Sequence, residues 1–142
     1  MGEMGQDRRN QQVALPSGRK LGFAEYGAAS GKPVLYFHGW PGSRVEPQAI
    51  ESANDPMGVR IIAVDRPGYG LSEFQERRRI LDWPQDIARL VEAVGVGRFA
   101  VMGVSGGGHM QQFVPRRCRS ASRPQRWSVV SGRWIDRAQR PA

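Results

Sequence analysis

Cysteine is nearly absent from this sequence: Cys118 stands alone among 142 residues. That excludes an internal disulfide framework and suits a reducing, cytoplasmic compartment. Long hydrophobic runs are missing too, the longest lying around Phe99–Val104, far short of the roughly 20 residues a membrane-spanning helix needs. Residues 1–12 are polar and lack the apolar segment of a secretory signal. Although the chain opens Met-Gly, Gln6 stands where a myristoylation pattern requires Ser or Thr. Acidic side chains are scarce in one place only. Residues 109–142 hold eight Arg and one Asp, and no Leu, Lys, Glu, Thr, Asn or Tyr, whereas residues 1–108 hold 13 basic and 12 acidic side chains. Most of the formal net charge of +8 therefore belongs to the last quarter, and the basic pI describes a tail rather than a domain.

What is present fits one ordinary domain. Gln12–Leu15 and Leu21–Tyr26 flank the turn Pro16-Ser17-Gly18 and predict a β-hairpin. Val34–Phe37, Ile61–Val64 and Phe99–Met102 are short and apolar throughout, the signature of parallel strands buried on both faces. Ala49–Ala53 is a short helical candidate. Leu81–Val94 is the better one, with Ile87, Leu90, Val91 and Val94 at helical spacing, Asp82 as N-cap and Gly95 just past the end. Strand, helix, strand, helix, strand predicts an α/β layered fold. The expected organisation is a disordered polar N-terminus over 1–11, a domain over 12–108, and an Arg-rich tail over 109–142 with one strand near 128–131.

Three loops carry the chemistry. Gly103-Val104-Ser105-Gly106-Gly107 is a G-x-S-x-G box after an apolar strand and before an expected helix, the setting of a nucleophile elbow. Small neighbours let the two chain segments pass closely, and the serine stands in a strained conformation at the tip. The box equally fits a glycine-rich turn without catalysis. His38-Gly39-Trp40-Pro41-Gly42 follows the strand Val34–Phe37, where a second oxyanion donor belongs. The two donors are assigned to the backbone N–H groups of Trp40 and Gly106. His38 reads as a loop-supporting hydrogen-bonding residue rather than a base. Trp40 is either a wall of a substrate pocket or packed core. Asp65-Arg66-Pro67-Gly68-Tyr69-Gly70-Leu71-Ser72 specifies a rigid loop in which Asp65 and Arg66, with His38 and Gly39, support the site, the first two free to pair locally.

Taken together, the hairpin, the HGWPG loop, the DRPGYGLS loop, the LDWPQDIARLVEAVG helix and the FAVMGVSGGG elbow have the order and spacing of the α/β-hydrolase superfamily. Residues 12–108 resemble its N-terminal half, nearest to serine hydrolases of the esterase, lipase and prolyl-aminopeptidase type. The resemblance implies a partial α/β-hydrolase fold, a mostly parallel sheet with an N-terminal hairpin and flanking helices. It makes Ser105 the nucleophile, acting on a small-molecule ester or amide through an acyl-enzyme, with no cofactor and no metal. A serine at this elbow, where dehalogenases and epoxide hydrolases carry aspartate, sets those branches aside. The family order of the triad is Ser, then Asp or Glu, then His. After Ser105 the chain offers only His109 and Asp136, in the reverse order. The sequence is therefore expected to be truncated and inactive as it stands, and frame-shifted after Gly108. With Met110 as ATG, a displaced frame makes the next codon alanine and continues as a small-residue helix ending in Leu-Pro.

Two further readings belong to other classes. One is a non-catalytic pseudoenzyme or binding fragment. The other is a nucleic-acid binder acting through the arginines of the tail, which the sparse aromatics there (Phe113, Trp127, Trp134) disfavour. No membrane partner is expected. A sheet ending at the elbow strand would expose an apolar edge, so self-association is expected.

Overall fold

A computed structural model of the chain describes residues 7–51, 58–111, 114, 127–130 and 133–136. Cys118, the arginines between 116 and 126, and the bulk of the segment read as frame-shifted lie outside the described residues, as do residues 1–6. The first strands, β1 (Gln11–Ala14) and β2 (Lys20–Gly27), form the hairpin, with Val13 opposite Leu21. Its turn closes through Leu15 N–H to the Arg19 carbonyl at 2.8 Å, with Gly18 at φ +86°, a conformation that costs glycine nothing.

The sheet is built from the three apolar runs. Here β3 (Lys32–Phe37), β4 (Val59–Val64) and β5 (Ala100–Gly103) are mutually parallel, and the hairpin joins them antiparallel through β2 and β4. The order is β1-β2-β4-β3-β5, so β3 lies between β4 and β5. The carboxyl ends of the three parallel strands share one edge, where the three loops meet.

Both faces of the sheet are covered, which is why these strands show no polar alternation. Leu35, Phe37, Ile62, Val64 and Val101 face α1 (Trp83–Ala93) and the helix after the elbow, α2 (Gly106–Gln111). Ile87, Leu90 and Val91 are buried against them, Val94 is partly buried, and Trp83 meets Phe37 edge-to-face at 5.2 Å. Met110 and Val114 join the same core. On the other face Ala24, Tyr26, Tyr36, Ile61 and Ala63 form a smaller cluster. Tyr26 donates to the Arg44 carbonyl and Tyr36 to the Glu46 carboxylate.

Two local expectations are corrected, the start of the helix and its cap. The helix begins at Trp83, not Leu81, because Ile80–Asp82 forms a 3-10 turn. Asp82 occupies the N-cap position but makes no cap bond; its carboxylate turns back to the Arg79 N–H at 3.1 Å and the Arg79 guanidinium. Instead, the first turn of α1 is tied to the hairpin by Asp86, whose carboxylate accepts two bonds from Arg19 at 3.0 and 3.1 Å. Residues 46–50 form a 3-10 turn and Glu51 is helical; of the helix expected over 49–53, residues 52 and 53 lie outside the described residues. In the tail, where one strand is expected near 128–131, β6 (Trp127–Val130) pairs antiparallel with β7 (Arg133–Asp136) as a separate two-stranded sheet.

Candidate active site

The elbow lies between the end of β5 at Gly103 and the start of α2 at Gly106. At its tip Ser105 is exposed and adopts φ +48°, a left-handed conformation that costs a residue with a Cβ about 1–2 kcal/mol. What holds it there is backbone contact. Val104 N–H donates to the Phe37 carbonyl at 3.1 Å, and the Gly107 and Gly108 N–H groups donate to the carbonyls of Val104 and Ser105 at 2.8 and 2.9 Å. A methyl on Gly107 would stand 2.1 Å from the Phe37 carbonyl oxygen, and one on Gly103 would stand 2.5 Å from that of Gly107. Both outer glycines of the box are thus required by the crossing of strand, turn and helix.

The loop after β3 rests against this tip. A methyl on Gly39 would lie 3.2 Å from the Val104 carbonyl oxygen and 3.4 Å from the Ser105 Cβ. Among the described residues, neither the Trp40 nor the Gly106 backbone N–H has a hydrogen-bond partner. His38 is fully buried, and both its ring nitrogens are occupied. Its Nδ1–H donates to the Gly39 carbonyl at 2.8 Å, and its Nε2 accepts the Arg66 N–H at 3.0 Å. Those partners fix the neutral tautomer. Burial holds the His38 pKa below its ordinary value, outweighing the Gly39 carbonyl, which favours the proton.

The loop after β4 braces the other two. Asp65, also fully buried, does not pair with Arg66. Its carboxylate accepts the Arg44 N–H at 2.6 Å and the Leu71 N–H at 2.8 Å, and forms an ion pair with the Arg44 guanidinium at 3.1 Å. Its carbonyl accepts the Ser72 hydroxyl at 2.7 Å, while the Gly22 N–H donates to that same hydroxyl oxygen. Arg66 reaches the other way, donating through Nη2 to the Gly39 carbonyl at 2.8 Å and lying 4.7 Å from the Tyr69 ring centroid.

Ser105, Gly106, His38, Gly39, Trp40 and Arg66 are therefore brought to one edge of the sheet, and Asp65 lies beneath it. Trp40 is 75% exposed, which removes the packed-core alternative. His109 is exposed and sits four residues along α2. Arg44 and Tyr69, neither of them a candidate on sequence grounds, hold Asp65 and Arg66. Only the Tyr69 position, inside a glycine-punctuated loop, carried any sequence signal. Among the described residues no cluster of His, Cys, Asp or Glu could hold a metal ion, and no helix is long and apolar enough to cross a membrane.

This arrangement has relatives. The family model described as the alpha/beta hydrolase fold matches residues 32–117, so the chain belongs to the α/β-hydrolase family. It is 32% identical over 111 residues to a non-heme chloroperoxidase of Streptomyces lividans, covering 73% of this chain and 38% of that protein. To a proline iminopeptidase of Neisseria gonorrhoeae it is 34% identical over 86 residues, covering 58% of this chain and 27% of the relative. Among solved structures, an epoxide hydrolase of Vigna radiata superposes with a TM-score of 0.63 at 26% identity, over 78% of this chain and 36% of that one. The chain spans well under half the length of the curated relatives it matches.

Proposed function

We propose that this chain carries the nucleophile and oxyanion part of a serine hydrolase site acting on an ester or amide. The observation that carries the reading is Ser105 itself, at φ +48° on a strand–turn–helix bend and backed by the Gly39 backbone. Its hydroxyl oxygen adds to the substrate carbonyl carbon. Negative charge develops on the carbonyl oxygen and is held by the Trp40 and Gly106 N–H groups. In a complete site a base takes the Ser105 proton and returns it to the leaving group, so that collapse of the tetrahedral intermediate breaks the bond to that group, releases the alcohol or amine and leaves an acyl-serine. A lost oxyanion donor typically costs about 10²–10³ in rate. His38, Gly39, Asp65 and Arg66 support these groups without touching substrate. The epoxide hydrolase likeness describes the fold; the serine at position 105 favours acyl transfer over opening an epoxide.

Proton removal from Ser105 needs a base, and among the described residues none faces it. His38 has both nitrogens engaged, and His109 lies a turn along α2. Without a base a serine keeps an ordinary alcohol's reactivity. The chain by itself is accordingly expected to be inactive or to show only the residual acceleration an oxyanion hole gives. That same observation favours the second reading, a non-catalytic binding fragment.

Exposure of the purified chain to a fluorophosphonate probe and to a short-chain nitrophenyl ester separates the two. Labelling of the wild type but not of Ser105→Ala supports a competent nucleophile, and no labelling of either favours the binding fragment. A related expectation concerns assembly. Within the five-stranded sheet β5 is an edge strand and Met102 on it is exposed, so the chain is expected to self-associate through that edge. Sedimentation as a monodisperse monomer would reject this.

A further inference from the structure

We propose that Arg66, with His38, is a positioning residue that aims the Trp40 N–H by clamping the far side of the same peptide. This rests on the oxyanion role given to Trp40 above. The Gly39 carbonyl oxygen and the Trp40 N–H belong to one planar unit, and that peptide is trans. In a trans peptide the N–H points opposite to the C=O. The oxygen receives two donors, His38 Nδ1–H at 2.8 Å and Arg66 Nη2–H at 2.8 Å. A carbonyl has two lone pairs, and both are used. Fixing the oxygen from two directions removes the rotation of the peptide plane, so the N–H is held facing away from His38 and Arg66.

Among the described residues no other hydrogen bond reaches this peptide. The Trp40 side chain is largely in solvent, and its N–H has no partner among the described residues. The clamp is itself braced, because the Arg66 N–H donates to His38 Nε2 at 3.0 Å and both side chains pack on Tyr69. The guanidinium also reaches the second donor segment, its Nη1 lying 3.4 Å from where a methyl on Gly106 would stand. One rigid planar fork therefore spans both backbone stretches that would cradle an oxyanion. Lysine offers the charge but not the fork.

Two measurements on the full chain test this. The first uses no chemistry at Ser105: the Gly39 carbonyl carbon and the Trp40 amide are followed by NMR in wild type, Arg66→Ala and Arg66→Lys. Arg66→Ala should shift the Gly39 carbonyl and broaden or split the Trp40 amide, with Arg66→Lys intermediate. The second is the rate of fluorophosphonate labelling. The maximal labelling rate should fall by about 10²-fold in Arg66→Ala, the loss expected for a misplaced catalytic group. The concentration giving half-maximal rate should hold, and Arg66→Lys should recover part of the rate. Unchanged Gly39 and Trp40 resonances in a folded Arg66→Ala chain overturn the proposal, as does full labelling by that variant. Absence of wild-type labelling counts against the serine-hydrolase reading, and the resonances then decide the clamp alone.

Discussion

Two ways of fixing a loop stand side by side in this site. The loops after β3 and β4 are held by buried or half-buried side chains that bond backbone: His38 and the half-buried Arg66 on the Gly39 carbonyl, Asp65 on Arg44 and Leu71, Ser72 on Asp65 and Gly22. The elbow after β5 is held by backbone contact, with glycines where any side chain would collide. The first device needs specific polar groups in matched pairs. The second needs the absence of atoms and stores strain at Ser105. Under the proposed reading the Ser105 hydroxyl must stay exposed and unencumbered, and it is set by sterics, while the groups around it are set by bonds.

The contrast is broken most severely at Asp65. Removing one partner of a buried ion pair typically costs about 3–5 kcal/mol, so Asp65→Ala should lose that much in urea denaturation, breaking the pair with Arg44 and leaving the Arg44 and Leu71 backbone N–H groups without their acceptor. Next comes Gly107→Ala, which forces a methyl into the Phe37 carbonyl. It should cost about 1–3 kcal/mol, the usual range for overpacking, whereas Gly106→Ala, which meets only Arg66 Nη1 at 3.4 Å, should melt close to wild type. Third, Ser105→Gly should be more stable than Ser105→Ala by about 1–2 kcal/mol, because only glycine takes the left-handed conformation without penalty.

The fourth prediction concerns pH. Burial lowers the pKa of His38 in the fold, so below the ordinary value of 6.5 the unfolded chain takes up a proton that the folded chain resists. Stability should therefore be level above that pH and fall as pH drops below it, with a slope of at most about 1.4 kcal/mol per pH unit. Urea midpoints between pH 8 and 5 should show this, and His38→Gln should remove it. The smallest effect belongs to Trp40→Ala, where an exposed side chain leaves stability within about 0.5 kcal/mol, read by the same denaturation.

Much of this site was legible locally. Glycines placed after apolar runs mark the bends that carry Ser105, Gly106, His38 and Trp40, since turns and buried strands are written in neighbouring residues, while the nucleophile role of Ser105 is what the family resemblance implies. The bonds that brace them were not. Asp65 finds Arg44 across 21 positions and Arg66 finds Gly39 across 27; nothing in either neighbourhood distinguishes those partners from the adjacent Asp65–Arg66 pair. Asp82 shows the same limit at short range. Its type and position suit an N-cap, yet Arg79 competes for the carboxylate and the helix starts without it.

Sequence alone determined the apolar strands, the bend that presents Ser105, and the concentration of basic charge beyond residue 108, because backbone sterics, hydrophobic period and composition act over a few residues. Tertiary structure decided the rest. The strand order put β3 between β4 and β5, and that placement brought three loop ends together so that His38 and Arg66 could grip one carbonyl. Contacts of that kind depend on which strands become neighbours, and strand neighbours are chosen by the burial of the whole sheet rather than by any segment of it.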